Sequence, residues 1–127
     1  MKVEFRDIRI KQLGTASNPV PAAAQIAKAS GFESFFNGRN LAGWDGDPRF
    51  WSVKNGVIVG ESTPGKTPSG NTYLIWTNET FRDFEFRCSI KLVNGETGSG
   101  VQYRGHRTDG WVMLGYQTDL FPNHKGG

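Results

Sequence analysis

Two short segments place amide, guanidinium and carboxylate side chains at every second position. Gln102 and Arg104 alternate with apolar neighbours in V-Q-Y-R, and Gln117 and Asp119 do the same in Y-Q-T-D. Successive side chains of a β-strand point to opposite faces, so each pair shares one face of its strand. Planar groups with fixed donors and acceptors suit sugar hydroxyls, and an arginine can also bind a ketone or a developing oxyanion. The pattern favours a ligand platform on one sheet surface, with a solvated sheet face as the alternative.

Two carboxylates could act as general acids or bases. Glu61 ends the apolar run V-I-V-G-E, where Gly60 would allow another backbone or a ligand to come close. Asp119 is the second candidate, and a pair of carboxylates is what glycosidase chemistry commonly needs. Because the sequence does not give their separation, retaining and inverting geometries both stay open. The alternative for Glu61 is an exposed carboxylate at the end of a strand.

Metal and thiol chemistry have little support in the sequence. His106 follows Q-Y-R-G and could reach the same surface as a base or a metal ligand, but a lone histidine in a glycine-rich turn is usually just exposed. No H-x-H or H-x-x-x-H spacing supports a metal site, so no cofactor is expected; a divalent cation held by Glu and Asp oxygens stays open. Cys88 is the only cysteine, which excludes an intrachain disulfide and a cysteine-based zinc site.

The elements that must position these residues are β-strands. Residues 84–92 alternate apolar and polar side chains, and Asn55-Gly56 separates two apolar segments in the way typical of a hairpin. The predicted strands cover residues 50–53, 57–61, 73–76, 84–92, 101–104 and 111–121. No segment after residue 30 shows sustained helical periodicity. The sequence therefore predicts an all-β fold, with two packed antiparallel sheets.

The N-terminal strand has an interruption in its apolar pattern. Val3 and Phe5 share one parity, whereas Ile8 and Ile10 share the other. This change of phase predicts a bulge between the two pairs, or a strand that is covered on each face in turn.

Length and charge exclude several classes of protein. The 127 residues correspond to about one domain. The net charge of +3 and the pI of about 9.2 come without any basic block, so nucleic-acid binding is not expected. The longest apolar run is far shorter than the ~18 residues of a membrane span, and the N-terminus shows no signal peptide.

Four segments, taken in order, resemble a known family. They are GFESFFNGRNLAGWDGDPRFWSVKNGVIVGEST (31–63), LIWTNETFRDFEFRCSIKL (74–92), GSGVQYRG (98–105) and GYQTDL (115–120). The succession F-N-G-x-x-L-x-G-W, W-x-V-x-x-G-x-I-x-G and G-x-Q-Y-R is similar to the 3-keto-disaccharide hydrolase domain, long known as a domain of unknown function. The resemblance implies a concanavalin A-like jelly-roll β-sandwich.

The resemblance also implies a reaction, the cleavage of the glycosidic bond of a 3-keto sugar made by a partner oxidoreductase. Glu61 and Asp119 are then the acid/base candidates. The substrate-contact candidates are Gln102, Arg104, Gln117, Tyr116 and His106, with Tyr116 on the opposite face by parity. A ketone acidifies the neighbouring C2–H, so elimination followed by hydration is a second route, which needs a base and an enolate stabiliser. A non-catalytic carbohydrate-binding module and an adhesion module are the alternative functions.

Two departures from the family affect the domain assignment. The family domain continues past the G-Y-Q-x-D strand, so residues 31–127 are expected to be its N-terminal two-thirds and the jelly roll to be incomplete. Residues 1–13 resemble its closing strand and would end a preceding copy, with 14–30 as a linker; a natural permutation is the alternative. We therefore expect a fragment that is inactive alone, with a tandem copy as a possible partner. The family implies a periplasmic or cell-surface location.

Overall fold

The computed structural model describes residues 1–13, 31–94 and 98–122. In chain order its strands are β1 (Lys2–Gln12), β2 (Glu33–Ser34), β3 (Trp44–Asp45), β4 (Trp51–Lys54), β5 (Val57–Glu61), β6 (Ile75–Trp76), β7 (Phe84–Asn94), β8 (Ser99–Arg107) and β9 (Met113–Leu120). None of the described segments is a helix that could cross a membrane. The predicted all-β, jelly-roll-like fold is confirmed. The predicted linker over 14–30 lies outside the described residues.

The N-terminal strand β1 is an interior strand of a five-stranded antiparallel sheet. One edge of β1 pairs with β7 over its whole length, from Val3 opposite Leu92 to Gln12 opposite Phe84. The other edge pairs with β5 in its first half and with β2 in its second half, and β4 continues the sheet beyond β5. The sheet is therefore built around the first strand of the chain.

A bulge in β1 explains its change of parity. Asp7 has a φ of 51°, and the register with β7 shifts between Arg6 and Arg9. The bulge lets the side chains before and after it reach the same core, since Val3, Phe5, Ile8 and Ile10 are all buried. The predicted bulge is confirmed, and the strand keeps one apolar face along its length.

The β4–β5 hairpin has the predicted turn. Asn55 and Gly56 have φ values of 51° and 75°, as two-residue hairpin turns require. Gly60 lies opposite Trp51, and a Cβ there would be 2.8 Å from Cζ3 of the indole. The close approach expected at Gly60 is therefore made by the ring of Trp51 rather than by a ligand.

An aromatic cluster joins the small β3–β6 pair to the main sheet. Phe35 is buried and stacks on Trp76 with ring centroids 4.4 Å apart, while Phe81 and Trp44 pack beside it. The indole N–H of Trp44 also donates to the carbonyl of Phe35 at 2.8 Å. The cluster contains four of the 16 aromatic residues of the sequence and packs with the core.

Strands β8 and β9 form a hairpin that, within the described segments, pairs with no other strand. Tyr103 lies opposite Tyr116, and their rings stack with centroids 6.2 Å apart. Much of this apolar face is exposed, with Tyr103, Leu114 and Tyr116 at 40%, 58% and 69%. The opposite face carries Gln102 and Gln117.

Candidate functional site

A cleft of about 1400 Å³ is lined by β1, β5 and β7 of the main sheet, by the aromatic cluster and by the β8–β9 hairpin. Four of the predicted site residues line it: Glu61, Gln102, Arg104 and Gln117. Glu61 comes from the main sheet and the other three come from the hairpin. The fold therefore brings residues that are up to 56 positions apart in sequence around one space.

Glu61 ends β5 and is paired with a lysine of the neighbouring strand. Nζ of Lys54 donates to Oε2 of Glu61 at 3.1 Å. This hydrogen bond and the lysine charge hold the pKa of Glu61 below its usual range, and Lys2 and the N-terminal amine lower it further. The carboxylate is therefore ionised at neutral pH, which suits a base and does not suit a general acid.

A chain of hydrogen bonds runs through Tyr73 on the hairpin side of the cleft. The amide of Gln102 donates to the Tyr73 hydroxyl and to the carbonyl of Met113, each at 3.4 Å. The Tyr73 hydroxyl in turn donates to the side-chain oxygen of Gln117 at 3.4 Å. The amide of Gln117 donates to the Asp119 carboxylate at 2.6 Å.

The direction of these successive hydrogen bonds is fixed at both ends of the series. The Met113 carbonyl and the Asp119 carboxylate can only accept, so the amide nitrogens of Gln102 and Gln117 must face them. Tyr73 then has to accept from one glutamine and donate to the other. The series of hydrogen bonds therefore orients both amides, although the two bonds of the Tyr73 hydroxyl, at 3.4 Å, are long and individually weak.

Several buried polar atoms in the cleft wall have no hydrogen-bond partner among the described residues. They are Nε1 of Trp51, Oγ1 of Thr72, Nε1 of Trp76 and Oε1 of Gln102. All four residues line the cleft. An unpartnered buried donor or acceptor costs free energy, so these atoms would gain from small rearrangements that admit water or a hydroxylated ligand.

Arg104 is held by the turn that precedes β7. Its Nη2 donates to the carbonyl of Arg82 at 2.8 Å and lies 3.7 Å from Oδ1 of Asp83. Arg104 has a φ of 51° and lies where the β8–β9 register shifts. The guanidinium has five N–H donors, so it keeps donors for a ligand after these contacts.

The other three predicted site residues do not line the cleft. Asp119 is exposed and bound to Gln117, Tyr116 stacks on Tyr103 on the apolar face of the hairpin, and His106 is exposed on β8. The structure therefore does not bring Glu61 and Asp119 together as a carboxylate pair around this cleft. No group of three or more His, Cys, Asp and Glu side chains able to hold a metal ion occurs in the segments described.

Two residues that the sequence did not single out connect the parts of the site. Tyr73 is the centre of the hydrogen-bond chain, and Asp45 accepts from the Trp111 indole at 2.8 Å and from Nη2 of Arg107 at 2.7 Å. The Trp111 bond and then the Arg107 contact lower the pKa of Asp45. Their partners are 29 to 66 positions away, so no local sequence signal could have identified them.

The strands, their curled sheets and the cleft between them define a protein of the concanavalin A-like β-sandwich class. Within that class, the chain belongs to the family of 3-keto-alpha-glucoside-1,2-lyase-like domains, whose sequence profile matches residues 31–127. This match confirms the resemblance to 3-keto-disaccharide hydrolases. Strand β1 lies outside the matched range. A search of curated proteins and a search of solved structures each found no match.

Proposed function

We propose that the cleft binds a 3-keto-glycoside and that Glu61 is the base that removes the proton from C2. The observation that carries the proposal is membership of a family named for a 1,2-lyase, in a chain whose Glu61 and Gln102 line one cleft. An exported location and a partner oxidoreductase that makes the ketone belong to the same proposal.

The proposed reaction is an elimination. The carboxylate of Glu61 takes the C2 proton, and the electron pair of the broken C–H bond forms an enolate with the C3 ketone. The enolate then expels the aglycone oxygen from C1, which leaves a C1=C2 double bond, and the aglycone takes up a proton. Addition of water across this double bond gives the free 3-keto sugar. Arg104 is the proposed donor to the enolate oxygen, because its guanidinium keeps free N–H groups.

Membership of the family supports elimination over a two-carboxylate glycosidase mechanism, because the family is named for a 1,2-lyase. Hydrolysis by a carboxylate pair needs one protonated acid as well as a base or nucleophile. Of the two predicted carboxylates only Glu61 lines the cleft, and Glu79 is a further carboxylate in its lining. A single ionised carboxylate is sufficient for the first step of elimination, because the ketone already acidifies C2–H.

Deuterium exchange at C2 tests this step. The full chain is incubated in D₂O with methyl 3-keto-α-glucoside, and NMR follows loss of the C2 proton and release of methanol. We expect catalysed exchange that Glu61→Gln reduces at least about a hundredfold, which is the usual contribution of a general base. Because the pKa of Glu61 is lowered, exchange should persist at neutral pH and fall only as the carboxylate becomes protonated in acid.

The matched control is Glu4→Gln. Glu4 is also paired with a lysine of the same sheet, at 3.0 Å from Nζ of Lys2, but it does not line the cleft. This variant should exchange C2 like the parent chain. Exchange needs only a bound substrate and a base, so it is expected even if the isolated chain does not release the aglycone. Binding without exchange would overturn the lyase proposal and favour a carbohydrate-binding module.

A further inference from the structure

The β8–β9 hairpin carries one wall of the cleft but has little apolar attachment to the rest of the molecule. The described hydrophobic core and the side chains packed against it come from other elements. Much of the apolar face of the hairpin is exposed, with Leu114 and Tyr116 more than half exposed. Its position over the cleft must therefore depend mainly on polar contacts.

Two of the shortest of these polar contacts converge on Asp45, and the bond from Arg104 to the carbonyl of Arg82 is as short as one of them. One carboxylate oxygen accepts from the indole of Trp111 at 2.8 Å, and the other accepts from Arg107 at 2.7 Å. Arg107 ends β8 and Trp111 precedes β9, so Asp45 accepts hydrogen bonds from both sides of the turn that connects these strands. The backbone N–H of Tyr73 adds a bond to the Trp111 carbonyl at 3.1 Å. We call Asp45, Arg107 and Trp111 the hairpin clamp.

We propose that Asp45 is a positioning residue, which acts through Arg107 and Trp111 to hold the β8–β9 hairpin over the cleft with Gln102 and Arg104 facing the ligand. Asp45 lies on β3, and β3 pairs with β6, whose Trp76 stacks in the aromatic cluster. The clamp thus connects the weakly attached hairpin to the aromatic cluster. The side chains of Asp45 and Arg107 are 43% and 41% exposed, so water can replace the contact when the hairpin moves away.

The geometry makes the hairpin a unit that opens separately from the main sheet. Elements with few apolar contacts and exposed hydrogen bonds open at lower free energy than core strands. Strand β1, by contrast, is paired on both edges and buries four large apolar side chains. A two-stranded hairpin is only marginally stable once it is detached, so loss of the clamp should open the hydrogen bonds between β8 and β9 while β1, β5 and β7 stay closed.

Amide hydrogen exchange of the full chain tests the clamp. Asp45→Ala should speed exchange in Ser99–Arg107 and Met113–Leu120 at least about tenfold, because two hydrogen bonds to a charged group are lost and the one to the half-exposed Arg107 contributes little. Asp45→Asn, which keeps an acceptor but loses the charge, should have a smaller effect. Amides of β1 that bond to β5 or β7 should be unchanged. The control is Asp109→Ala, since no hydrogen bond or ion pair of the Asp109 carboxylate is found within the described residues.

A double variant that swaps the two charged residues tests whether the clamp can be restored. Asp45→Arg combined with Arg107→Asp restores the ion pair without the Trp111 bond, so exchange in the hairpin should return part of the way to that of the parent chain. Unchanged exchange rates in the hairpin of Asp45→Ala would show that the clamp does not hold the hairpin. An equal increase of the exchange rates in β1 and in the hairpin would show general destabilisation. Either result would overturn the proposal.

The role toward the ligand is measured separately and rests on the proposed function. If the hairpin is displaced for part of the time, the apparent Kd for methyl 3-keto-α-glucoside rises in inverse proportion to the closed fraction. Asp45→Ala should therefore bind this probe several-fold more weakly than Asp109→Ala. If both variants bind the probe with equal affinity although the hairpin of Asp45→Ala exchanges faster, the positioning role would be overturned. A parent chain that does not bind the probe, but whose hairpin loosens as described, would contradict the proposed function and leave the clamp standing.

Discussion

Glu61 and Asp119 were predicted as equivalent carboxylates, yet their surroundings give them different chemistry. Glu61 lines the cleft beside Lys54, which keeps it ionised. Asp119 lies outside the cleft lining, and its carboxylate accepts from the amide of Gln117. We propose that the aspartate orients donors and acceptors in the wall, whereas the glutamate takes a proton. Their roles at the site stay predictions until C2 exchange has been measured.

At Gly60 the side chain is absent because a tryptophan needs the space. Gly60→Ala would place a Cβ 2.8 Å from Trp51 Cζ3 and 3.1 Å from Val3 Cγ1, and both neighbours are packed in the core. We expect a loss of about 1–3 kcal/mol in the free energy of unfolding, measured by urea denaturation. Gly70→Ala is the control, since a Cβ there meets nothing within 4 Å. Equal stability of the two variants would show that the Trp51 ring does not pack as described.

At the scale of the element, alternation predicted the strands well. The patterns over 57–61, 84–92 and 111–121 correspond to β5, most of β7 and all of β9. The two-residue strands β2 and β3 were missed, because so short a segment has no periodicity to detect. The long-range pairing of β1 with β7 was also invisible, since pairing depends on contacts that no single segment encodes.

The bulge of β1 makes a prediction at this scale. At a φ of 51°, Asp7→Val places a β-branched side chain in the left-handed region, so we expect a cost of about 1–2 kcal/mol in the free energy of unfolding. Asp7→Gly should stay within about 0.5 kcal/mol of the parent chain, because glycine adopts this conformation readily and the exposed Arg6–Asp7 ion pair contributes little. Urea denaturation of both variants tests this, and a tolerated valine would mean that β1 has no bulge.

At the scale of the whole molecule, the strand outside the family match is central to the sheet. Val3, Phe5, Ile8 and Ile10 are at most 9% exposed, and each large apolar side chain contributes about 1.5–3 kcal/mol on burial. Together they are comparable to the roughly 5–15 kcal/mol by which domains are stable. The assignment of residues 1–13 to a preceding copy of the domain stays a prediction.

A chain of residues 14–127 is therefore expected not to fold. Circular dichroism and one-dimensional NMR should show lost tertiary structure, and a synthetic peptide of residues 1–13 should restore it. A peptide of the same composition in scrambled order is the control, because it cannot present four apolar side chains to one face. A chain that folds fully without residues 1–13 would contradict the central place of β1.

The thiol of Cys88 lies on β7 among the side chains packed against the core, and burial raises its pKa. At neutral pH the reactive thiolate is therefore scarce, and with one cysteine in the sequence the chain has no second cysteine with which to close a disulfide. The fold consequently does not depend on an intrachain disulfide, and moving this chain between an oxidising and a reducing compartment neither adds nor removes such a bond.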